Sequence, residues 1–214
     1  MKIFQKYKYI LLLHLVVLIF GFTAIIGKFI TVGSEVLVWY RLLIAIVVIA
    51  IYLSFTKANL RLKKYGLPKT LLTGIVIAAH WVFFFEAIKQ STASVALAAL
   101  SSASLFTSLL EPLFFKRRIK PYELMLGLLV IVGLYFIYQL NTANQTGIIL
   151  GVIAAFLASL FTVINGKLIQ DYDSEKISLY ELLGGFIALG IYIILSGSTE
   201  LQEFILSSPD FMWL

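Results

Sequence analysis

The chain has 214 residues, of which 61% are hydrophobic and only 13% are charged, and its formal net charge is +6. A soluble domain carries about 25% charged residues, so this composition excludes an ordinary water-soluble globule and predicts a protein embedded in lipid. The chain has no cysteine, which excludes disulfides, a thiol nucleophile and a cysteine-ligated metal.

Seven stretches are long and apolar enough to cross a bilayer as helices, since a helical span needs about 20 apolar residues. The alternation with a period of two that a membrane barrel would show is absent. The sequence therefore predicts an all-α membrane protein, a polytopic helical bundle. The predicted spans lie at residues 8–29, 34–55, 68–88, 92–115, 121–140, 147–168 and 177–196.

The first predicted span follows a basic start, MKIFQKYKY, which is also typical of a secretory signal peptide. The apolar run is too long for a signal peptide, and no clear small-x-small cleavage site follows it. We therefore expect a retained first span. It contains His14 in its inner third, a candidate for substrate binding.

The second predicted span contains Arg41, whose guanidinium stays charged and needs a partner. A charged group at mid-helix costs roughly 2.5–3.5 kcal/mol on insertion scales, so such groups are functional candidates. Glu86, at a similar depth in the third span, is one possible partner, and the ion pair would hold two helices together. The alternative is that Arg41 attracts an anionic substrate.

The third predicted span has His80 near its middle, in the sequence AAHWVFFFEAI, followed directly by Trp81. Helical spacing places Phe83 and Phe84 on the face of His80. Because imidazole titrates near neutral pH, this side chain could bind a substrate or pass a proton. The alternative is a structural hydrogen bond to another helix.

The fourth predicted span contains a dense run of small residues, TASVALAALSSAS. Such a run predicts close helix packing, although Ser101 and the serines beside it could also line a cavity. Glu111 lies near the inner end of this span. We expect it either to bind substrate or to be an inner-mouth residue paired with Arg117 or Arg118 in the following loop.

Most of the 17 basic residues fall on one side of the membrane if the seven helices alternate in direction. We expect a multi-pass protein of the plasma (inner) membrane. The positive-inside rule then places its N-terminus in the cytoplasm. The positive net charge of the chain is thus explained by its membrane topology. A nucleic-acid partner is not expected, since no contiguous basic face is visible.

The sixth predicted span repeats the end of the first, because FTVINGKLI (161–169) matches FTAIIGKFI (22–30). At nearly the same offset, YELL (180–183) matches YRLL (40–43). The copies lie in the first and sixth spans, five helices apart along the chain, so they run in opposite directions. The sequence predicts inverted repeats, which are typical of secondary transporters. Coincidence among apolar helices is the alternative.

Both copies of the repeated sequence end in Gly-Lys, at Lys28 and Lys167. A lysine in the last turn offsets the helix dipole and can bond the last carbonyl groups. We therefore expect both lysines to act as helix stops rather than substrate ligands.

The chain resembles the drug/metabolite transporter superfamily, in particular its EamA-type members. The residues that carry the resemblance are GKFI and WYRLL in spans 1 and 2, FFEAIKQSTASVALAAL in spans 3 and 4, and EPLFFKRRIKPYELMLGLLVIVGLYFI into span 5. The chain departs from the family pattern at SSASLF, where the family often has proline, and at Lys116-Arg117, where it often has glutamate.

The resemblance implies ten helices in two inverted five-helix repeats. Residues 8–140 would form the first repeat and residues 147–214 an incomplete second repeat, with an eighth helix beginning at Pro209. We therefore expect a chain truncated after seven of ten helices, which inserts into the membrane but does not transport. A natural seven-helix protein is the alternative.

The resemblance also implies a secondary transporter, an exporter of small metabolites that works by alternating access. The alternatives are a seven-helix receptor or sensor, a membrane enzyme, or a non-transporting fragment of a carrier. No P-loop, clustered catalytic groups or zinc-ligand set is visible, so we expect no enzyme activity, cofactor or metal. The expected partners are a metabolite and the lipid bilayer, while the substrate and the oligomeric state stay open.

A substrate cavity is expected near the bilayer midplane, lined by spans 1, 3, 4 and 6, with His80 at its wall. The candidate substrate-binding residues are His80, Trp81, Phe84, His14, Arg41, Ser101 and Glu111.

Overall fold

The computed structural model describes residues 2–56, 60, 62, 66–140, 142–196 and 210. Over these residues the protein consists of α-helices and one 3-10 turn, Thr142–Asn144, without β-strands, which confirms the predicted all-α class. The helices are α1 (Lys2–Phe29), α2 (Ser34–Thr56), α3 (Gly66–Lys89), α4 (Ala93–Leu100), α5 (Ala103–Phe115), α6 (Pro121–Leu140), α7 (Gln145–Leu168) and α8 (Ser174–Leu195).

Seven helical segments of the described chain are long and apolar enough to cross a membrane, and they coincide with the seven predicted spans. Their bounds are Tyr7–Phe29, Ser34–Thr56, Gly66–Lys89, Ala93–Phe115, Pro121–Gln139, Gln145–Leu168 and Ser174–Leu195. The fourth segment comprises α4 and α5. Apolar side chains of α1 between Ile10 and Phe20 are mostly exposed, as expected for a helix that faces lipid.

The fourth span is divided between α4 and α5 by two serines. Ser101 Oγ donates to the Ala98 carbonyl at 2.6 Å, and Ser102 Oγ donates to the Ala99 carbonyl at 2.7 Å. Serine hydroxyls bonded to the preceding turn compete with the backbone ladder and bend helices. The single helix predicted at residues 92–115 is therefore interrupted at its centre.

The core is built around α3, whose main partners are α8 and α7. The backbones of α3 and α8 touch where glycine leaves room. A Cβ added at Gly74 would lie 1.9 Å from the Glu181 backbone oxygen, and one added at Gly184 would lie 2.4 Å from that of Leu71. Such close approach is the usual role of small residues in membrane bundles.

The helix ends define two ends of the bundle. The end that holds the start of α1 and the C-termini of α2, α5 and α7 is called the basic end, and the other is called the opposite end. At the basic end Tyr180 Oη donates to the Leu60 carbonyl at 3.0 Å. At the opposite end the Thr31 amide and hydroxyl donate to the carboxylate of Asp210 at 2.7 and 2.8 Å. The helix start predicted at Pro209 lies outside the described residues.

Lys28 binds a different helix from the one predicted. Its Nζ donates to the carbonyls of Ile88 at 2.9 Å and Ser91 at 2.8 Å, and more weakly to that of Lys89 at 3.4 Å. Ile88 and Lys89 end α3 and Ser91 follows it, so Lys28 caps α3 with its hydrogen bonds rather than its own helix. Lys28 lies in the last turn of α1 as predicted, but the predicted carbonyl partners were wrong, because α3 ends beside Lys28 and leaves free carbonyls there.

Candidate functional site

His80 joins α3 to α7 inside the bundle. Its Nδ1 lies 2.8 Å from the Ala154 carbonyl, and the side chain is buried. A carbonyl can only accept, so Nδ1 carries the proton and Nε2 is left as an acceptor. Over the described residues Nε2 has no hydrogen-bond partner. The structural role predicted for His80 is thus present, and one ring nitrogen remains available to a ligand.

Aromatic rings surround this imidazole. Phe84 stacks on it at a centroid distance of 6.1 Å, and Phe161 of α7 lies at 5.5 Å. Phe84 therefore contacts His80 as the helical spacing predicted. Phe83 instead lines an apolar cavity of about 330 Å³ between α3 and α8, together with Ala79 and Tyr192.

Arg41 packs on a neighbouring face of α3. Its guanidinium carbon lies 5.1 Å from the ring centroid of Phe85 and 5.8 Å from that of Trp81. A cation over an aromatic face gains about 0.5–2 kcal/mol, more where water is excluded. Successive residues on a helix point about 100° apart, so Trp81 and His80 belong to different faces. The predicted site residues of α3 are thus divided into an α2-facing set and an α7-facing set.

The predicted ion pair between Arg41 and Glu86 is wrong. Glu86 Oε2 accepts from the Ser34 hydroxyl at 2.7 Å, and Oε1 accepts from the Gln90 amide at 2.8 Å. Ser34 begins α2, and Arg41 follows it by seven residues, which is about 10 Å deeper in the bundle. The two charges therefore lie at different depths, and within the described chain no carboxylate forms an ion pair with Arg41.

Glu181 and Asn165 form a polar pair between α8 and α7. Asn165 Nδ2 donates to Glu181 Oε2 at 3.2 Å, and Glu181 is only 4% exposed. The remaining oxygens, Glu181 Oε1 and Asn165 Oδ1, are buried without a hydrogen-bond partner. Buried polar atoms are nearly always paired, so these two oxygens require an explanation.

The repeated sequence already contained the signal for this pair. Asn165 in FTVINGKLI stands where the first copy has Ile26, and Glu181 in YELL stands where the first copy has Arg41. The sequence prediction left both residues out of the site. A comparison of the two copies for polar replacements would have selected them.

Glu111 is held at the basic end by Arg117, as predicted. Arg117 Nη2 donates to Glu111 Oε2 at 2.8 Å and to Glu123 Oε2 at 3.1 Å, bridging α5 and α6. The hydrogen bonds with Glu111 and Glu123 raise the pKa of the Arg117 guanidinium further above its usual value, so it stays charged. These groups line a cavity of about 350 Å³, which Ser104 and Thr107 also line.

Comparison with known protein families places these residues in context. Residues 7–139, more than half of the chain, match the EamA-like transporter family. The chain belongs to this family. It is therefore a multi-pass membrane protein from a family of small-molecule transporters and not of enzymes, and the resemblance seen in the sequence is confirmed. The curated proteins include no match to the chain.

Two predicted site residues of this EamA-like transporter lie apart from the others. His14 is exposed, and its Nδ1 is 2.7 Å from the Ile10 carbonyl of its own helix. Ser101 is exposed and engaged with Ala98 at the break between α4 and α5. Neither side chain contacts His80 or Arg41 in the described structure. The interior polar groups are instead distributed along the two faces of α3 and on α7 and α8.

Proposed function

We propose that this EamA-like transporter is a secondary carrier that exports small metabolites across the plasma membrane by alternating access, with its N-terminus in the cytoplasm. The observation that carries the proposal is His80, a buried imidazole whose Nδ1 bonds α7 while Nε2 is free. Polar groups inside a membrane bundle are expensive and are usually retained for a ligand or ion path. Family membership supports transport as that function.

Two inverted repeats would provide the moving parts, the first at residues 8–140 and the second beginning at residue 147. The family match ends at residue 139, close to the proposed boundary. Helices α2 and α8 both begin with Ser-Glu and continue to Tyr-x-Leu-Leu. These features support the division, because opposed units that exchange conformations would expose a shared site to each side in turn.

The substrate site is proposed on α3, where aromatic rings accompany both polar groups. On one face His80 Nε2 can accept a hydrogen bond beside Phe84, and on the other Arg41 lies over Trp81. Aromatic surface with a hydrogen-bond acceptor and a cation suits an apolar or aromatic metabolite that carries an anionic group. Arg41 would then attract the anion, and the rings would hold the apolar part.

The test compares metabolites inside and outside cells that carry or lack the gene. Export predicts that one group of metabolites accumulates inside the cells that lack it and is depleted from their medium. Candidates from this comparison are then offered to inside-out membrane vesicles, where saturable uptake is expected. Unchanged metabolite levels, or candidates that show no saturable uptake, would reject the proposal. Accessibility labelling of a tag at the N-terminus tests the orientation separately.

A further inference from the structure

The buried pair of Glu181 and Asn165 is not used by the proposed substrate site. It lies toward the basic end of the bundle, because Glu181 is the eighth residue of α8 and Asn165 is the fourth residue from the end of α7. Seven residues of helix place Glu181 about 10 Å inside the start of α8. The pair therefore lies within the membrane-spanning part of the protein and on a different level from His80.

The donors and acceptors of this pair do not balance if the carboxyl group is ionised. A carboxylate only accepts hydrogen bonds, so Glu181 Oε1 and Asn165 Oδ1 are then two acceptors without a donor, as the structure shows. One proton on Oε1 makes that atom a donor. A carboxylic acid and an amide can pair at two points, with the amide N–H donating to one carboxyl oxygen and the acid O–H donating to the amide oxygen. The first of these bonds is already present.

No cation replaces this proton in the described part of the chain. Glu181 forms no ion pair there, and its carboxyl group has Asn165 as its hydrogen-bond partner. The charged or titratable groups on the surrounding helices are exposed or engaged elsewhere: Arg41 over Phe85, Lys69 in an exposed position, His80 on Ala154, Lys167 over Phe115 and Tyr180 on Leu60.

The packing of α3 closes this site. The Glu181 backbone oxygen lies only 1.9 Å from where a Cβ of Gly74 would be, so the backbones of α3 and α8 touch at this level. The Glu181 side chain is only 4% exposed, so movement of the surrounding helices would open a bound proton to exchange with solvent. Exchange is thereby tied to the same helix movement that alternating access requires.

We propose that Glu181 and Asn165 form the coupling-ion site of this transporter, and that the ion is a proton carried on Glu181 Oε1. This inference rests on the proposed function, because coupling requires transport. A monovalent metal cation bound by the same two oxygens is the competing occupant. The protonated pair itself can be observed without any knowledge of the substrate.

The experiment is infrared spectroscopy of the purified full chain in lipid vesicles without sodium. At about pH 8 exposed carboxyl groups are ionised, so a C=O band of a protonated carboxyl group reports a buried acid. We expect this band in the unaltered protein, its loss in Glu181→Gln and its persistence in Glu175→Gln, which changes a carboxylate in the first turn of the same helix. Asn165→Ala should keep the band and shift it to higher frequency, because the carbonyl loses its hydrogen bond.

Three results would overturn the proposal: no band in the unaltered protein, a band unchanged in both Glu181→Gln and Asn165→Ala, or a band that disappears on addition of sodium at constant pH. If Glu181→Gln does not fold, the shift of the band in Asn165→Ala shows whether the protonated carboxyl group is that of Glu181. Because the measurement needs no flux, its failure leaves the proposed function standing. A band without any transport by the gene product would instead reject the function, and the coupling role with it.

Discussion

Arg41 and Glu181 occupy the same place in two different helices. Each is the eighth residue of a helix that begins with Ser-Glu, α2 in one case and α8 in the other. One residue is a base and the other an acid, and neither side chain forms an ion pair in the described structure. Arg41 is held by aromatic rings and Glu181 by an amide. Two helices with the same opening pattern thus place a basic and an acidic residue at matched depths from their own ends, and each residue is available for a separate task.

The first prediction follows from the contacts of Arg41. Arg41→Lys keeps the charge but loses the planar guanidinium that stacks on Trp81 and Phe85. We expect an increase in KM for an anionic substrate of roughly tenfold, equivalent to about 1.4 kcal/mol, while the amount of folded protein is unchanged. Arg118→Lys in the exposed α5–α6 turn is the control. An equal KM in both variants would remove Arg41 from the site.

The two histidines permit a matched comparison. His80→Ala removes the bond to Ala154 and the free Nε2, whereas His14→Ala removes an exposed ring bonded only to its own helix. We expect His80→Ala to reduce transport or change its dependence on pH between about pH 5 and pH 8. His14→Ala should behave as the unaltered protein. Flux in vesicles at fixed substrate concentration measures both, and unchanged flux across that range in His80→Ala would contradict the assignment.

The α3–α8 contact leads to a prediction about stability. Gly74→Ala places a methyl group against the backbone of Glu181, and overpacking of this kind costs about 1–3 kcal/mol. Gly133 on α6 has open space around its Cβ position, so Gly133→Ala should be neutral or stabilising by up to about 1 kcal/mol through helix propensity. Thermal unfolding in detergent compares the two variants. Equal melting temperatures would show that α3 and α8 move apart to admit the methyl group without any loss of stability.

The cap that Lys28 places on α3 can be removed by Lys28→Met. Carbonyls of Ile88 and Ser91 would then lose a charged donor, and we expect a loss of about 1–3 kcal/mol of stability if no other donor reaches them. Lys8→Met, in the exposed first turns of α1, removes the same charge without such contacts. Hydrogen exchange at the end of α3 measures the effect. Unchanged protection in Lys28→Met would mean that water replaces the lysine.

The sequence was sufficient to predict the seven spans, because span length and apolarity depend on the bilayer alone. It also predicted the Glu111–Arg117 pair, since the two residues are only six positions apart at the end of α5. It was not sufficient to predict the partners of Arg41, because those depend on the depth of Arg41 relative to α3 and on the rotation of α3 about its axis. Hydropathy that is high all around a helix does not record that rotation.

The site was predictable to a smaller extent. His80 and Phe84 were found because they lie on one helix, where spacing determines contact. Asn165 was missed because a single amide in an apolar helix is inconspicuous until its partner on another helix is known. The break at Ser102 was missed for a related reason: alanine and serine both occur within membrane helices, and only the hydrogen bonds of the hydroxyls divide α4 from α5.

The position of α3 at the centre has a consequence for biogenesis. A ribosome delivers α3 to the membrane before α7 and α8, the helices that later cover it. Until they arrive, the imidazole of His80 lacks the Ala154 carbonyl, and the groove at Gly74 faces lipid. The nascent chain therefore passes through a stage in which α3, the central helix of the finished bundle, lacks hydrogen-bond and packing partners. Quality-control proteases that recognise polar groups exposed to lipid would encounter the protein at that stage, before α7 and α8 pack on α3.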